Sequence, residues 1–229
     1  MFKIFKSVIL LCGGESRRMG QDKGSMNYLE KPMILHILLS LNNKVNEVLI
    51  VLNDLNRINL YKKILNQYFD ENKLDKNSFF SYKIRYIEDE VKSKGPMSGI
   101  ITGLKHISSD YALVLPCDSP FVDPSFIDQI FKIKEKNFYF DSIIPYQKIA
   151  ISKNKKISEK YQKFDEKIIN SQTLHSIYSK SDLYSMEKLL NNDVLDLKSF
   201  ILNSNSYFVQ IEDNFNLKTF KNLNSKEDL

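Results

Sequence analysis

The stretch SVILLCGGESRRMGQDKG, residues 7–24, decides how the rest of the chain is read. Its first six residues form an apolar run with no polar alternation beyond Ser7, the pattern of a strand covered on both faces in a parallel sheet. The run stops at a glycine pair. Residues 11–24 then hold four of the chain's seven glycines together with Arg17, Arg18 and Lys23. A parallel α/β sheet opens its ligand crevice at the carboxyl ends of its strands. Glycine turns there let backbone N–H groups converge on phosphate oxygens, and nearby cations add charge to the cradle. A nucleoside triphosphate suits that geometry.

Neither GxGxxG nor GxxxxGK[ST] occurs in this stretch, which disfavours a dehydrogenase and a P-loop NTPase. The competing reading is a tight strand-to-helix turn whose basic residues face solvent. Arg17 and Arg18 are adjacent and cannot both face one ligand, while Gln21 and Asp22 are read as support for the loop.

Outward from this point, strand and helix patterns alternate for about 145 residues, as in a Rossmann-like doubly wound α/β fold with a mostly parallel sheet. NEVLIVLN (46–53), YKIRYIED (82–89), YALVLPCD (111–118) and DSIIPY (141–146) read as further strands. Between them, KPMILHILLSL starts a helix with Pro32 in its first turn. Residues 60–68, 100–107 and 124–131 repeat helical spacing, the last behind an Asp123 cap. Two polar stretches, 70–81 and 147–170, interrupt the rhythm and are read as surface insertions or loops. Beyond them LHSIYSK suggests a strand, SDLYSMEKLL a helix capped by Ser181, LKSFILN a short helix and YFVQIE an edge strand. The domain reading is a single unit over 1–229, with 1–145 binding nucleotide and 146–229 forming the second-substrate side with a polar insertion.

Composition narrows the function. With 229 residues and 42% hydrophobic content the chain can bury a full core. Its net charge of +5 comes from 33 basic and 28 acidic residues spread along the length. That is unlike the clustered stripes of nucleic-acid binders and compatible with a small polyanionic substrate. No run approaches the roughly 20 apolar residues of a membrane span, and the N-terminus lacks a cleavage signal, so a cytoplasmic protein is expected. The two cysteines, Cys12 and Cys117, each end an apolar run. That placement suits small buried side chains better than a redox role.

All the remaining glycines, Gly95, Gly99 and Gly103, lie in GPMSGIITGL, spaced four apart on one helix stripe. Close packing on the sheet suits Gly103 better than Gly95, and for Gly99 packing and ligand approach stay open. In LVLPCDSPF, Asp118 sits at the carboxyl end of a buried strand beside the first glycine window. A carboxylate there suits Mg²⁺, which keeps water and substrate phosphates in its other positions. Capping of the next helix is the alternative, though Asp123 is better placed for it. Asp89, ending the third strand, reads by itself as a loop carboxylate.

These segments resemble the signatures of the molybdenum cofactor guanylyltransferases, the MobA family of the nucleotidyltransferase superfamily. LCGGESRRMGQDKG is similar to LAGGxSxRMGxDK, GPMSGIITGL to GPLAGIxxGL, LVLPCDSPF to the PCDMPF segment, and FKNLNSKEDL to the closing NxNTPEDL. In order they span residues 11–229. The resemblance implies a fold of the nucleotide-diphospho-sugar transferase type. It also implies transfer of GMP from GTP to molybdopterin, with Mg²⁺ and release of pyrophosphate, and contact with other cofactor-biosynthesis and chaperone proteins, without nucleic acid or membrane. It further implies that Leu11, Cys12, Gly13 and Gly14 bind GTP through the loop backbone, that Lys23 contacts phosphate, and that Asn53 and Asp89 contact nucleotide. Asp118 would ligate magnesium, Arg18 is the arginine of the RMG element and joins Lys23 and Asp118 as catalytic, and Asn222 and Asn224 fall near the metal and the pterin side.

Departures accompany the match. Cys12 stands where the family usually has alanine, Glu30-Lys31-Pro32 where it has GKP, and His175-Ser176 where it has HP; His175 then reads as a strand-end surface histidine. A molybdopterin cytidylyltransferase, a sugar-phosphate nucleotidylyltransferase and a non-catalytic nucleotide-binding partner are the rival readings. The glycine pair Gly13-Gly14, where cytidylyltransferases carry LAAG, leans toward guanine.

Overall fold

The computed structural model describes residues 4–13, 22–92, 94–148 and 165–223, with Lys76 and Asn77 described for the backbone alone. In chain order the strands are β1 (Ser7–Leu11), β2 (Asn27–Tyr28), β3 (Lys31–Pro32), β4 (Glu47–Leu52), β5 (Lys83–Glu88), β6 (Tyr111–Pro116), β7 (Ser142–Tyr146), β8 (Ile177–Ser179) and β9 (Ser206–Gln210). β2 and β3 form a small antiparallel ribbon, and the other seven make one sheet in the order β5-β4-β1-β6-β8-β7-β9. The apolar run of β1 lies at its centre, paired in parallel with β4 and β6 so that Ser7 faces Glu47 on one side and Ala112 on the other. β8 is the antiparallel exception, between β6 and β7, while β9 runs parallel to β7 at the edge. The sheet is continuous through both halves of the chain.

The helices are α1 (Met33–Ser40), α2 (Leu55–Glu71), α3 (Lys76–Phe79), α4 (Gly95–His106), α5 (Pro124–Lys136), α6 (Glu166–Ile169), α7 (Leu183–Asn191), α8 (Leu197–Leu202) and α9 (Ile211–Asn214). Successive strand residues point to opposite faces, so each central strand serves two cores. Val8 and Leu10 meet α1, α2 and α5 on one face, and Ile9 meets α4, α7 and α8 on the other. This is why the strands read as unbroken apolar runs. Asp54 caps α2 by accepting the Arg57 N–H at 2.9 Å, and Asp123 caps α5 by accepting from Ser125 at 2.7 Å.

Several expectations are corrected. Residues 70–81 are not a bare surface insertion: α2 continues through Glu71, α3 forms one turn, and Phe79 and Phe80 pack edge-on against buried Phe69, with Tyr82 beside Phe80. Aromatic burial on non-periodic positions escapes a search for helical spacing. Ser181 does not cap α7; a short turn, Lys180–Asp182, leads into that helix and the Asp182 carboxylate accepts the Ser179 N–H at 3.0 Å. Pro32 precedes α1 in the β3 ribbon instead of starting the first turn. Of residues 147–170, those from 149 to 164 lie outside the described residues, while α6 follows with Ile168 buried under the second core.

Candidate active site

The chain leaves β1 for β4 and then β5, and returns over the opposite face through α4 to β6, so the order reverses beside β1. Such a switch point opens a crevice at the strand carboxyl ends. A cavity of about 630 Å³ lies there, lined among others by Gly13, Lys23, Asn53, Asp89, Asp118 and Asn222.

At its centre Lys23 Nζ stands 3.1 Å from Asp118 Oδ2, both side chains about a fifth exposed. Asp118 belongs to the turn just past β6, and Lys23 opens a single 3-10 turn at the end of the glycine-rich loop. That turn is held from α2. The Tyr61 hydroxyl donates to Asp22 Oδ1, and Arg57 pairs with Asp22 Oδ2 at 3.2 Å. Asp22 therefore supports the loop, as expected, by anchoring it to a helix the sequence does not connect to it. A Cβ on Gly13 would meet Asn53 Oδ1, the end of a flexible side chain, and displace it. Cys12 and Cys117 follow β1 and β6 directly, on adjacent strand ends, and burial, ahead of Cys117, pushes the Cys12 thiol well up.

Asp89 is buried at the carboxyl end of β5. The Ser98 hydroxyl donates to its Oδ2 and the Thr102 hydroxyl to its Oδ1, each at 2.8 Å, and the Val91 N–H reaches Oδ1 at 3.2 Å. Ser98 and Thr102 lie one turn apart on α4, so one helix face fixes both oxygens. Gly95 begins that helix at φ +72°, a left-handed backbone that suits glycine. A Cβ on Gly99 would lie 2.9 Å from Leu11 Cδ2, and one on Gly103 within 2.6–2.7 Å of Ile9. Gly103 is thus a packing glycine, and Gly99 both packs on β1 and lines the crevice.

The final described segment closes the remaining side. Leu223 N–H donates to the Asp118 carbonyl at 2.9 Å, and the Ser119 hydroxyl to Asn222 Oδ1 at 2.5 Å. Phe215 and Phe220 anchor this segment on Phe126. His175 stacks edge-on to Phe126 and Phe220, only 2% exposed, so it is an interior residue and not a surface one. Burial lowers its pKa to about 3, against an opposing hydrogen bond with the Thr219 backbone.

Leu11, Cys12, Gly13, Lys23, Asn53, Asp89, Asp118 and Asn222 thus line one crevice. Arg18, Gly14 and Asn224, and with them Arg17, lie outside the described residues. Sequence reasoning missed Tyr61 and Arg57, whose partner is 35 or more residues away. It also missed Ser98 and Thr102; the only signal was hydroxyls facing one way on a helix that starts at the glycine window.

Ligands that carry several phosphates commonly bring a divalent metal with them. Among the described residues no group of three or more His, Cys, Asp or Glu could hold one alone. Of the crevice carboxylates, Asp22 is held by Arg57 and Tyr61 and Asp89 by Ser98 and Thr102, while Asp118 faces Lys23 and fits an ion that enters bound to triphosphate, since Mg²⁺ uses one or two carboxylates and fills its shell with water and phosphate. Asp118 is the residue present to hold it.

Fold and site together define a nucleotide-binding α/β protein of the nucleotidyltransferase type. The profile of the MobA-like NTP transferase domain matches residues 8–148, and the chain belongs to that family. It is 30% identical over 225 residues to a probable molybdenum cofactor guanylyltransferase of Methanothermobacter thermautotrophicus, covering 97% of this chain and 96% of the relative. A protein of the same description from Methanosarcina mazei is 27% identical, over 98% and 88%. Among solved structures, the molybdopterin-guanine dinucleotide biosynthesis protein A of Archaeoglobus fulgidus superimposes with a TM-score of 0.65 at 20% identity, covering 97% and 94%. A 4-diphosphocytidyl-2C-methyl-D-erythritol synthase of Anaerococcus prevotii gives 0.66 at 17%, over 98% and 92%. At such identities the two structures speak for the fold. Among the described residues no helix is long and apolar enough to cross a membrane.

Proposed function

We propose that the protein is a guanylyltransferase that transfers GMP from GTP to the phosphate of molybdopterin and releases pyrophosphate. The observation that carries this reading is the facing pair Lys23 and Asp118, a cation and a carboxylate at 3.1 Å beside the Gly13 turn. With nucleotide in the crevice Lys23 would face the phosphates, and Asp118 would hold the Mg²⁺ that accompanies them. The metal, when bound, neutralises charge on the α-phosphate and the leaving pyrophosphate. The backbone at Leu11, Cys12 and Gly13 holds the nucleotide, with Asn53 beside it. A phosphate oxygen of the pterin then forms a bond to the α-phosphorus as the bond to the bridging oxygen breaks, and the leaving pyrophosphate takes that electron pair. Positioning and electrostatic stabilisation supply the rate, with no covalent enzyme intermediate. Arg18, Gly14 and Asn224 complete this reading as the further basic, loop and pterin-side groups.

Asp89 supports guanine as the base. Oδ1 is taken by Thr102 and Val91, and Oδ2, which accepts from Ser98, keeps acceptor capacity for one N–H donor of the base, which guanine supplies. The relatives' descriptions agree with guanine as well. The test is pyrophosphate release with molybdopterin, Mg²⁺ and each of the four nucleoside triphosphates. GTP is expected to turn over alone or far fastest. Preference for CTP would make the protein a cytidylyltransferase, activity only on a sugar phosphate would move it to that branch, and no turnover with any acceptor would leave a nucleotide-binding module.

A further inference from the structure

We propose that Cys12 and Cys117 form a reversible disulfide at the floor of the crevice, so that a small-molecule disulfide closes the site and a dithiol reopens it. The closure half of this inference rests on the crevice being the nucleotide site; the bond itself does not. It begins with strand register. β1 and β6 pair with Leu11 opposite Pro116, and the bond from Cys117 N–H to the Leu11 carbonyl, 3.0 Å, carries the ladder one residue further. Cys12 therefore stands beside Cys117 on the adjacent strand. Neighbouring strands lie about 4.8 Å apart, within the roughly 4.4–6.8 Å of Cα separation that a disulfide spans. Both side chains pack in the same core, the one under α1, α2 and α5.

Access is unequal, and that orders the chemistry. Cys12 is 1% exposed, while Cys117 is half-buried on the crevice wall. The Cys117 sulfur displaces one thiol from the small disulfide, giving a mixed disulfide; the Cys12 sulfur then attacks the Cys117 sulfur and expels the second thiol. Two protein thiols are oxidised, one disulfide is reduced to two thiols, and the two thiol protons leave on those products. The consequence lies in the neighbours: Cys12 precedes Gly13, and Cys117 precedes Asp118. Gly24, next to Lys23, packs close to the same side chain, since a Cβ there would lie 3.1 Å from Cys117 Cβ. A cross-link that draws the two sulfurs to a bond length of about 2.05 Å pulls on Gly13 and Asp118 directly and on Lys23 through Gly24.

The experiment treats the full chain with excess bis(2-hydroxyethyl) disulfide and reads intact mass, free thiols after denaturation, and pyrophosphate release. Expected are loss of the mass of two hydrogen atoms without an adduct and disappearance of both thiols. Turnover should fall about 10²-fold, the scale of a small misplacement of reacting groups, and dithiothreitol should restore it. Bound GTP with Mg²⁺ should slow the oxidation by covering Cys117, and Cys12→Ala should stop at the mixed disulfide. Two thiols still free, a stable adduct on Cys117 beside a free Cys12, or chain-to-chain cross-linking would overturn the bond. A cross-linked chain with unchanged turnover would overturn the closure. Mass and thiol count need no turnover, so failure of the guanylyltransferase reading is told apart from failure of the disulfide.

Discussion

At the scale of single residues the site depends on oxygen atoms held from outside it. Asp118→Asn keeps the size and removes the charge, and should lower Mg²⁺-dependent pyrophosphate release by about 10²-fold or more, as removal of a charge-stabilising group does; thermal unfolding of the variant should stay close to the parent. Gly13→Ala should fold, because the atom in its way is the end of the flexible Asn53 side chain. Its KM for GTP should rise as Asn53 is displaced, measurable by initial rates. His175 makes a pH prediction. Its folded pKa of about 3 lies below the ordinary value of 6.5, so the unfolded chain takes up a proton that the folded chain refuses. The associated stability is complete above about pH 6.5 and is lost as pH falls toward about 3, near 2 kcal/mol of it by about pH 5. Urea unfolding at neutral pH and at about pH 5 should show that loss in the parent and a smaller one in His175→Phe.

At the scale of elements, α2 and α3 carry more than their sequence suggests. α2 presents Arg57 and Tyr61 to Asp22, so the turn that carries Lys23 is positioned by a helix that follows β4. The aromatic group of Phe69, Phe79, Phe80 and Tyr82 covers the end of that helix. Phe80→Ala should therefore cost about 3 kcal/mol in denaturant unfolding, the range for truncating a buried phenylalanine. A surface loop at 70–81 would instead give a change within about 0.5 kcal/mol. The misreading has a physical cause: α3 is too short to show a period, and its apolar residues pack on a neighbouring helix.

For the whole molecule, the crevice joins the loop after β1, the ends of β5 and β6, the start of α4 and the last described segment. A ligand bridging them binds only the folded chain and must stabilise it by mass action, by about 2.7 kcal/mol at a hundredfold excess over Kd. Thermal unfolding should thus rise with GTP plus Mg²⁺ and much less with CTP, and chelation should remove most of the gain.

The sequence by itself determined the strands of the parallel core, because a strand buried on both faces must be apolar throughout and is bounded by turn residues. Residue type beside the glycine window also marked Gly13, Lys23 and Asp118, while Asn53 and Asp89 were marked only through the resemblance to the family signatures, Asp89 reading by itself as a loop carboxylate. Tertiary structure alone decided the antiparallel entry of β8, the burial of His175, the hydroxyl clamp on Asp89, the anchor of Asp22 and the meeting of Cys12 with Cys117. Each of these joins residues whose local sequence carries no period and no motif, and such contacts come into being only when the sheet order sets distant segments side by side.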